Sequence, residues 1–361
     1  MARGLEQQII DFINNNDKAE GLRGIFREAK KGLYRDNPLL ICFRKKDKKD
    51  NIDIYYKGRT TINVNINKNG LNAHVSEEYT RDELKNSNVK IVEKFKTVNR
   101  ISNEDISIQT VDKMAKISRG KVEREVQQYI IMRNNENENS DWYCVDMEYE
   151  TNKYGKFDII AVSKEKNCNG KYELAVIELK VGNGAMGTST KDMREWINSG
   201  SRLLENVSEW SKINGSGITG HFSKFIGFLT DEPKVEELKN DVLKIIETYY
   251  KTSLCDVNVK NLYEAGKETI IFDEPKIIFL NYTDAISKSV PTKSKIDSLK
   301  KVFKNNVAKN KFSIKKVWNC NILEKYKDRF LCIFRDEEYG PIFSDVEISE
   351  AKNIFDEEAY K

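Results

Sequence analysis

The chain has 361 residues, of which 39% are hydrophobic and 33% charged, with a formal net charge of +4 and a mean hydropathy of −0.64. This length is enough for two or three domains with separate cores, and the net charge is too small to indicate a nucleic-acid partner by itself. The first residues carry charge where a signal peptide needs an apolar core, and no run approaches the roughly 18 apolar residues of a membrane span, so we expect a cytoplasmic protein. The six cysteines lack CxxC spacing and the two histidines lie far apart, which predicts reduced thiols and no structural zinc site.

The first hundred residues are predicted to form an accessory α+β region. Residues 5–32 place apolar side chains at helical spacing, which predicts two helices broken near Asn14. Residues 38–80 change to alternating, β-rich patterns, with a turn signal at Asn69-Gly70, and predict a small antiparallel sheet.

Residues 101–285 are predicted to form an α/β core. A helical stretch that ends in VEREVQQYIIMR precedes three strand-like segments: WYCVDMEYE, KFDIIAVS and YELAVIELKV. A glycine-rich break and a helical stretch follow, and then KFIGFLT, VEELKNDVLKIIETYY and KIIFLNY are predicted as strand, helix and strand. This order predicts a mixed sheet with helices packed on it.

Residues 286–361 are predicted to form a basic segment and an acidic tail. Lysines crowd residues 293–316, whereas acidic residues dominate after Arg335. The basic segment is suited to phosphates through counterion release, although a solvated helix in a lysine-rich chain would have the same composition.

The chemistry-bearing residues lie on two of the predicted core strands. Alternate residues of a strand share a face, so Glu178 and Lys180 point together, opposite Leu179. Asp158 lies near the start of the preceding strand, and the turn between the strands predicts an antiparallel hairpin. Such a hairpin brings Asp158, Glu178 and Lys180 side by side.

This trio suits phosphodiester hydrolysis. Two carboxylates are hard oxygen ligands for Mg²⁺, with the backbone carbonyl of Leu179 as a further candidate ligand, and the lysine can orient the attacking water or stabilise the transition state. The alternative interpretation is a charged hairpin face or a partly buried ion pair. Apolar neighbours such as Ile160 and Val176 favour a buried site, where a charge needs a partner or a metal.

The segment from the predicted helix to Lys180 resembles the PD-(D/E)XK nuclease superfamily, with Phe157-Asp158 in place of Pro-Asp and Glu178-Leu179-Lys180 as the second half of the motif. The resemblance covers roughly residues 118–280. It implies a restriction-endonuclease-like core, in which helices flank a central mixed β-sheet. It also implies a Mg²⁺ cofactor, for which Mn²⁺ can substitute, and a glutamate on the preceding helix that supports the metal. Glu123 and Glu125 are both candidates, and Glu123 is preferred.

The resemblance also implies a phosphate contact on the helix after the motif. Lys191 and Arg194 are the candidates there. His221, expected in a loop before the KFIGFLT strand, is a third candidate for contact with substrate.

We therefore expect a Mg²⁺-dependent endonuclease acting on DNA, with genome or anti-phage defence in bacteria as the role by analogy. An RNase, a structure-specific repair nuclease, a non-catalytic nucleic-acid-binding or scaffold protein on a nuclease fold, and a protein-interaction module remain alternatives. Cutting both DNA strands usually needs two active sites, so a homo-oligomer or a defence-complex partner fits this function, although the sequence contains no interface signal.

Overall fold

The computed structural model describes residues 3–30, 39–46, 49–56, 58–67, 70–76, 90–92, 95–98, 122–181, 218–254, 257–264, 270–282, 325–335 and 343–353. The chain divides into two compact units that are discontinuous in sequence. The first unit comprises Met1–Arg133 and Lys239–Ile270, and the second comprises Asn134–Leu238 and Ile271–Lys361. This division differs from the predicted boundaries at residues 100 and 285, because each unit is completed by a segment distant along the chain.

The first unit begins with the two predicted helices, α1 (Gln7–Asn15) and α2 (Glu20–Lys30). Their buried side chains recur at helical spacing, including Ile9 and Ile13 on α1 and Leu22 and Phe26 on α2. The apolar stripe of each helix therefore packs into the core, as the sequence predicts.

An antiparallel sheet follows and confirms the prediction for residues 38–80. Its third strand buries Ile62, Val64 and Ile66, which alternate with asparagines, so one face of the sheet carries the core. Two short strands beyond the predicted stretch of residues 38–80 extend the sheet to six strands in the order β1-β2-β3-β4-β6-β5. The strands are β1 (Leu40–Lys46), β2 (Lys49–Tyr56), β3 (Arg59–Asn67), β4 (Gly70–Ser76), β5 (Lys90–Val92) and β6 (Phe95–Val98).

The first unit is completed by helices from two other parts of the chain. The helix α3 (Val122–Glu136) approaches the β2–β3 turn, where the Gly58 amide donates to Gln128 Oε1 at 2.8 Å. The chain later returns to this unit, and Tyr249 Oη donates to the carbonyl of Ile41 on β1. The residues preceding α3, from 101 to 121, lie outside the described part, so the predicted longer helix is confirmed only from Val122 onward.

The second unit contains a mixed sheet in the order β12-β11-β10-β9-β8-β7. The strands β7, β8 and β9 form antiparallel pairs, whereas β9, β10 and β11 run parallel to one another. This arrangement confirms the predicted α/β class with a mixed sheet. Residues on both faces of β8 and β9 are buried, including Ile159, Ile160, Val176 and Ile177, as expected for central strands covered on both sides. The strands are β7 (Trp142–Thr151), β8 (Gly155–Lys166), β9 (Tyr172–Val181), β10 (Lys276–Tyr282), β11 (Phe330–Arg335) and β12 (Lys352–Asn353).

The predicted KFIGFLT strand is wrong, because these residues belong to helix α4 (Ile218–Leu229). Phe225 and Phe228 of this helix pack against Phe157, with ring centroids 5.3 and 4.8 Å apart. A short, continuous apolar run does not distinguish a buried strand from a buried helix, and here packing on the sheet decided the outcome. The following helices, α5 (Glu232–Lys251) and α6 (Val257–Glu264), include the predicted VEELKNDVLKIIETYY helix.

The region predicted as a basic segment and acidic tail also contributes to the mixed sheet. Within it, FLCIFR forms β11, which pairs in parallel with β10, and the short helix α7 (Asp345–Glu350) precedes β12. Trp142 Nε1 on β7 donates to Asp345 Oδ1 at 2.9 Å. The lysine-rich stretch from 293 to 316 lies outside the described residues. Within the described part of the chain, no helix combines the length and apolarity needed to cross a bilayer.

Candidate active site

The register of β8 and β9 brings the two predicted carboxylates to neighbouring positions. Ile159 pairs with Ile177, so Asp158 and Glu178 are the next residues toward the end of the paired region. The Asp158 side chain also bridges the strands, because its Oδ2 accepts the backbone N–H of Leu179 at 2.7 Å. The structure therefore places Asp158 directly against the Glu178-Leu179-Lys180 segment.

Glu178 is the centre of a small charged cluster. Its Oε1 accepts a hydrogen bond from Lys180 Nζ at 2.5 Å, and the same oxygen lies 2.9 Å from His221 Nδ1 on α4. Asp158, Glu178, Lys180 and His221 thus come from two adjacent strands and one helix of the second unit.

The cluster lies inside the protein. Asp158, Glu178 and Lys180 are only 8%, 2% and 5% exposed, which excludes a solvated hairpin face. Burial favours the neutral acid and would raise the pKa of Glu178, but the charge of Lys180 and the hydrogen bond from His221 outweigh it, so the pKa lies below its ordinary value. Glu178 is therefore a buried carboxylate that stays ionised at neutral pH.

The two oxygens of Glu178 differ in their surroundings. Among the described residues, Oε2 is buried without a hydrogen-bond partner, whereas Oε1 has two partners. A buried, unpaired carboxylate oxygen is costly, and a bound cation would relieve that cost. With Asp158 alongside, the cluster offers two carboxylates of the type that Mg²⁺ prefers. Among the described residues, however, no group of three or more His, Cys, Asp or Glu side chains is arranged to hold a metal ion.

The predicted supporting glutamates lie in the first unit. Glu123 and Glu125 occupy the first turn of α3, where Glu123 is exposed and Glu125 half-buried. The choice between them stays a prediction. Lys191 and Arg194, the predicted phosphate contacts, lie outside the described residues.

The expected environment of His221 is corrected by the structure. His221 lies in the first turn of α4 rather than in a loop before a strand, because residues 218–229 are helical. Its Nδ1 lies 2.9 Å from Oε1 of the catalytic candidate Glu178. The sequence did not indicate this contact. Nothing in the local pattern joins residues 43 positions apart, and only the packing of α4 on the sheet brings them together.

The backbone of β7 is irregular beside Asp158. The register pairs Met147 with Ile159 and Tyr149 with Phe157, so Glu148 lies opposite Asp158, and its φ is +54°. A non-glycine residue in this region is uncommon and often marks a functional or strained position. Its carboxylate accepts from Lys156 Nζ at 3.3 Å. This position could not be found from the sequence, because a glutamate gives no indication of a left-handed backbone.

A comparison of the chain with protein-family profiles, curated proteins and solved structures finds no match.

Proposed function

We propose that this protein is a metal-dependent nuclease that hydrolyses phosphodiester bonds of DNA. The observation that carries the proposal is the buried cluster of Asp158, Glu178 and Lys180 on adjacent strands. Glu178 Oε2 has no hydrogen-bond partner within the part of the chain that the structure describes. Buried charges are expensive, and a pair of acids next to an ammonium group is an arrangement that suits phosphate chemistry at a cation.

Each residue has a distinct role in this proposal. Asp158 and Glu178 would hold the cation, with the backbone carbonyl of Leu179 as a further ligand. The Leu179 N–H donates to Asp158 Oδ2 at 2.7 Å and thereby orients that carboxylate beside Glu178. Lys180, held at Glu178, places a positive charge where negative charge develops on the phosphate.

A bound Mg²⁺ or Mn²⁺ supplies a Lewis acid that neutralises phosphate charge and lowers the pKa of water. The donor set fits such a hard cation in kind, since it consists of carboxylate and carbonyl oxygens. The protein contributes by holding these oxygens inside a sheet whose central strands are buried on both faces.

The order of elements around the cluster supports a restriction-endonuclease-like core as part of the proposal. The antiparallel strands β7, β8 and β9 are followed by α4, and β10 then pairs in parallel with the strand that carries Glu178 and Lys180. The resemblance to the PD-(D/E)XK superfamily implies such a core, with a mixed central sheet and helices around this motif.

The test is cleavage of plasmid DNA, linear duplex, single-stranded DNA and RNA in Mg²⁺, Mn²⁺ or EDTA. We expect metal-dependent cleavage of DNA that falls about 100-fold or more in Asp158→Asn, Glu178→Gln and Lys180→Met. Glu165→Gln and Lys171→Ala alter exposed residues of the same hairpin and should keep full activity. Cleavage that persists in all three site variants would refute the assignment of the centre, and cleavage of RNA alone would establish the RNase alternative.

A non-catalytic nucleic-acid-binding protein is the second candidate. Two observations favour it. Glu178 already has two cationic or hydrogen-bonding neighbours, Lys180 and His221, as in a structural ion pair. The described residues also contain no cluster of three potential metal ligands. A wild-type protein that binds DNA with a steep salt dependence and never cleaves would support this candidate.

A further inference from the structure

The described neighbours of Glu178 contact one oxygen of its carboxylate. Lys180 Nζ at 2.5 Å and His221 Nδ1 at 2.9 Å both meet Oε1, whereas Oε2 is buried and has no hydrogen-bond partner among the residues the structure describes. The terminal torsion of a glutamate is broad and roughly two-fold, so a buried carboxylate with one free oxygen needs something to fix its rotation.

Lys180 alone is a weak constraint on that rotation. A lysine ammonium sits on a flexible four-carbon stem and offers rotatable donors, so it can follow either oxygen. An imidazole N–H is directional and lies on a planar ring whose orientation is set by its packing. Of the two neighbours, His221 is therefore the one that can select an oxygen.

The position of His221 is fixed by the packing of α4. One turn along this helix, the buried ring of Phe225 contacts the rings of Phe157 and Phe279, with centroids 5.3 and 5.7 Å apart. Phe279 is the residue of β10 that pairs with Glu178 in the β9–β10 register. The helix that carries His221 is thus anchored to the strand position beside the carboxylate that His221 contacts.

We propose that His221 is a positioning residue for Glu178: its Nδ1–H fixes Oε1, so that Oε2 alone is presented to a divalent cation. This inference rests on the proposed function and deepens it, since it states how Glu178 binds the metal. It also replaces a direct substrate contact as the role of His221. Outer partners that orient a ligand typically change metal affinity by about 10- to 100-fold when removed.

The test measures Mn²⁺ binding to the full-length apoprotein by the loss of the free-ion EPR signal, without any substrate. We expect His221→Ala and His221→Phe to weaken Mn²⁺ binding by about 10- to 100-fold. His221→Phe keeps a ring beside Phe225 but lacks the donor, so it separates loss of the hydrogen bond from loss of packing. His221→Asn retains a donor near the Nδ1 position and should stay within about 3-fold of wild type.

Two controls define the outcome. Lys224→Ala, on the same helix, should leave the Mn²⁺ affinity unchanged, and Glu178→Gln should abolish the site. Thermal unfolding in EDTA shows which variants are folded, and His221→Asn and His221→Phe are each sufficient if His221→Ala does not fold. Wild-type affinity in His221→Phe, or equal weakening in His221→Phe and His221→Asn, would overturn the inference.

The same titration separates this inference from the proposed function. A wild type that neither binds Mn²⁺ nor cleaves DNA refutes the metal-dependent nuclease and the inference with it. A wild type that binds and cleaves, with His221→Phe indistinguishable from it, refutes the role of His221 alone.

Discussion

Glu178 keeps its charge although its side chain is almost fully buried. Burial penalises the carboxylate, but the Lys180 ammonium and the His221 hydrogen bond compensate, so the pKa stays below the ordinary glutamate value of 4.5. Breaking a buried ion pair by removing one partner typically costs about 3 kcal/mol or more, because the remaining charge is left uncompensated. Lys180, 5% exposed, would be that remaining charge.

We predict that Glu178→Gln destabilises the protein at neutral pH and that the difference narrows in acid. Because the folded pKa is depressed, the ionised carboxylate stabilises the native state above the unfolded value of 4.5, and this contribution is lost as the pH falls through the folded pKa. Urea unfolding of both proteins from about pH 7 down to about pH 3 measures the difference, with the exposed Glu165→Gln as control. A difference in unfolding free energy that stays constant or grows in acid would contradict the proposed coupling of Glu178 to Lys180.

All four side chains of the cluster were candidate site residues from the sequence, but only three of them were predicted to lie together. Asp158, Glu178 and Lys180 were found because the period of a strand and the antiparallel sense of a hairpin are local properties. The contact of His221 with Glu178 was not found, because it depends on where a helix packs.

At the scale of elements, the edge strand β7 is protected by a side chain. The Asn135 amide bonds to Cys144 twice: Nδ2 donates to the carbonyl and Oδ1 accepts the N–H, each at 2.9 Å. The amide thus takes the place of a neighbouring strand at the point where the β7–β8 register shifts between Cys144 and Asp146. Unpaired strand edges invite pairing with other chains, and such devices block it.

We predict that Asn135→Ala lowers the free energy of unfolding by about 1–3 kcal/mol, since two backbone groups of Cys144 lose their partners. Asn135→Asp keeps the acceptor but not the donor, so its unfolding free energy should lie between those of wild type and Asn135→Ala. Asn139→Ala, at an exposed loop position, should change stability by less than about 0.5 kcal/mol. Chemical denaturation together with hydrogen exchange of the Cys144 amide measures both effects, and unchanged exchange in Asn135→Ala would rule out this role.

Two glycine turns provide a matched pair of positions. Gly58 and Gly170 have φ values of +70° and +71°, so a side chain at either position is strained. A Cβ on Gly170 would meet nothing within 4 Å, whereas a Cβ on Gly58 would lie 2.4 Å from the backbone N of Glu125. The β2–β3 turn therefore needs glycine for close approach to α3 as well as for its conformation.

We predict that Gly170→Ala costs about 1 kcal/mol, the conformational penalty alone, and that Gly58→Ala costs substantially more. The clash involves helix backbone, which cannot move aside as a flexible side chain can. Melting temperatures of the two variants and wild type test the difference. Equal losses at both positions would show that α3 does not approach the turn as described.

At the scale of the whole molecule, the first unit is assembled from two distant parts of the chain. The Arg3 amide donates to Asp241 Oδ1 and the Leu5 amide donates to Thr248 Oγ1, both at 3.0 Å. The buried Phe43 ring of β1 packs against Tyr249, with centroids 5.0 Å apart. The part of α5 from Lys239 to Lys251 is therefore part of the core of this unit.

We predict that a fragment of residues 1–133 does not unfold cooperatively and that a peptide of residues 239–270 added in trans restores a cooperative transition. Without that segment, the fragment exposes apolar surface and leaves the amides of Arg3 and Leu5 unpaired. Circular dichroism during heating measures this, with a peptide carrying Asp241→Leu and Thr248→Val as control. A fragment that folds cooperatively alone would show that the first unit does not need residues 239–270 to fold.

The sequence by itself determined the strands β1–β4 and β7–β10, helices α1, α2, α3 and α5, and the meeting of Asp158 with Glu178 and Lys180. These features follow from periodicity and from short turns, in which each residue is constrained by its close neighbours along the chain. The tertiary structure decided that residues 218–229 are a helix, that FLCIFR joins the mixed sheet, that residues 239–270 complete the first unit, and that His221 meets Glu178. These outcomes depend on which apolar surfaces bury one another across long sequence separations, and a local pattern carries no information about its distant partner.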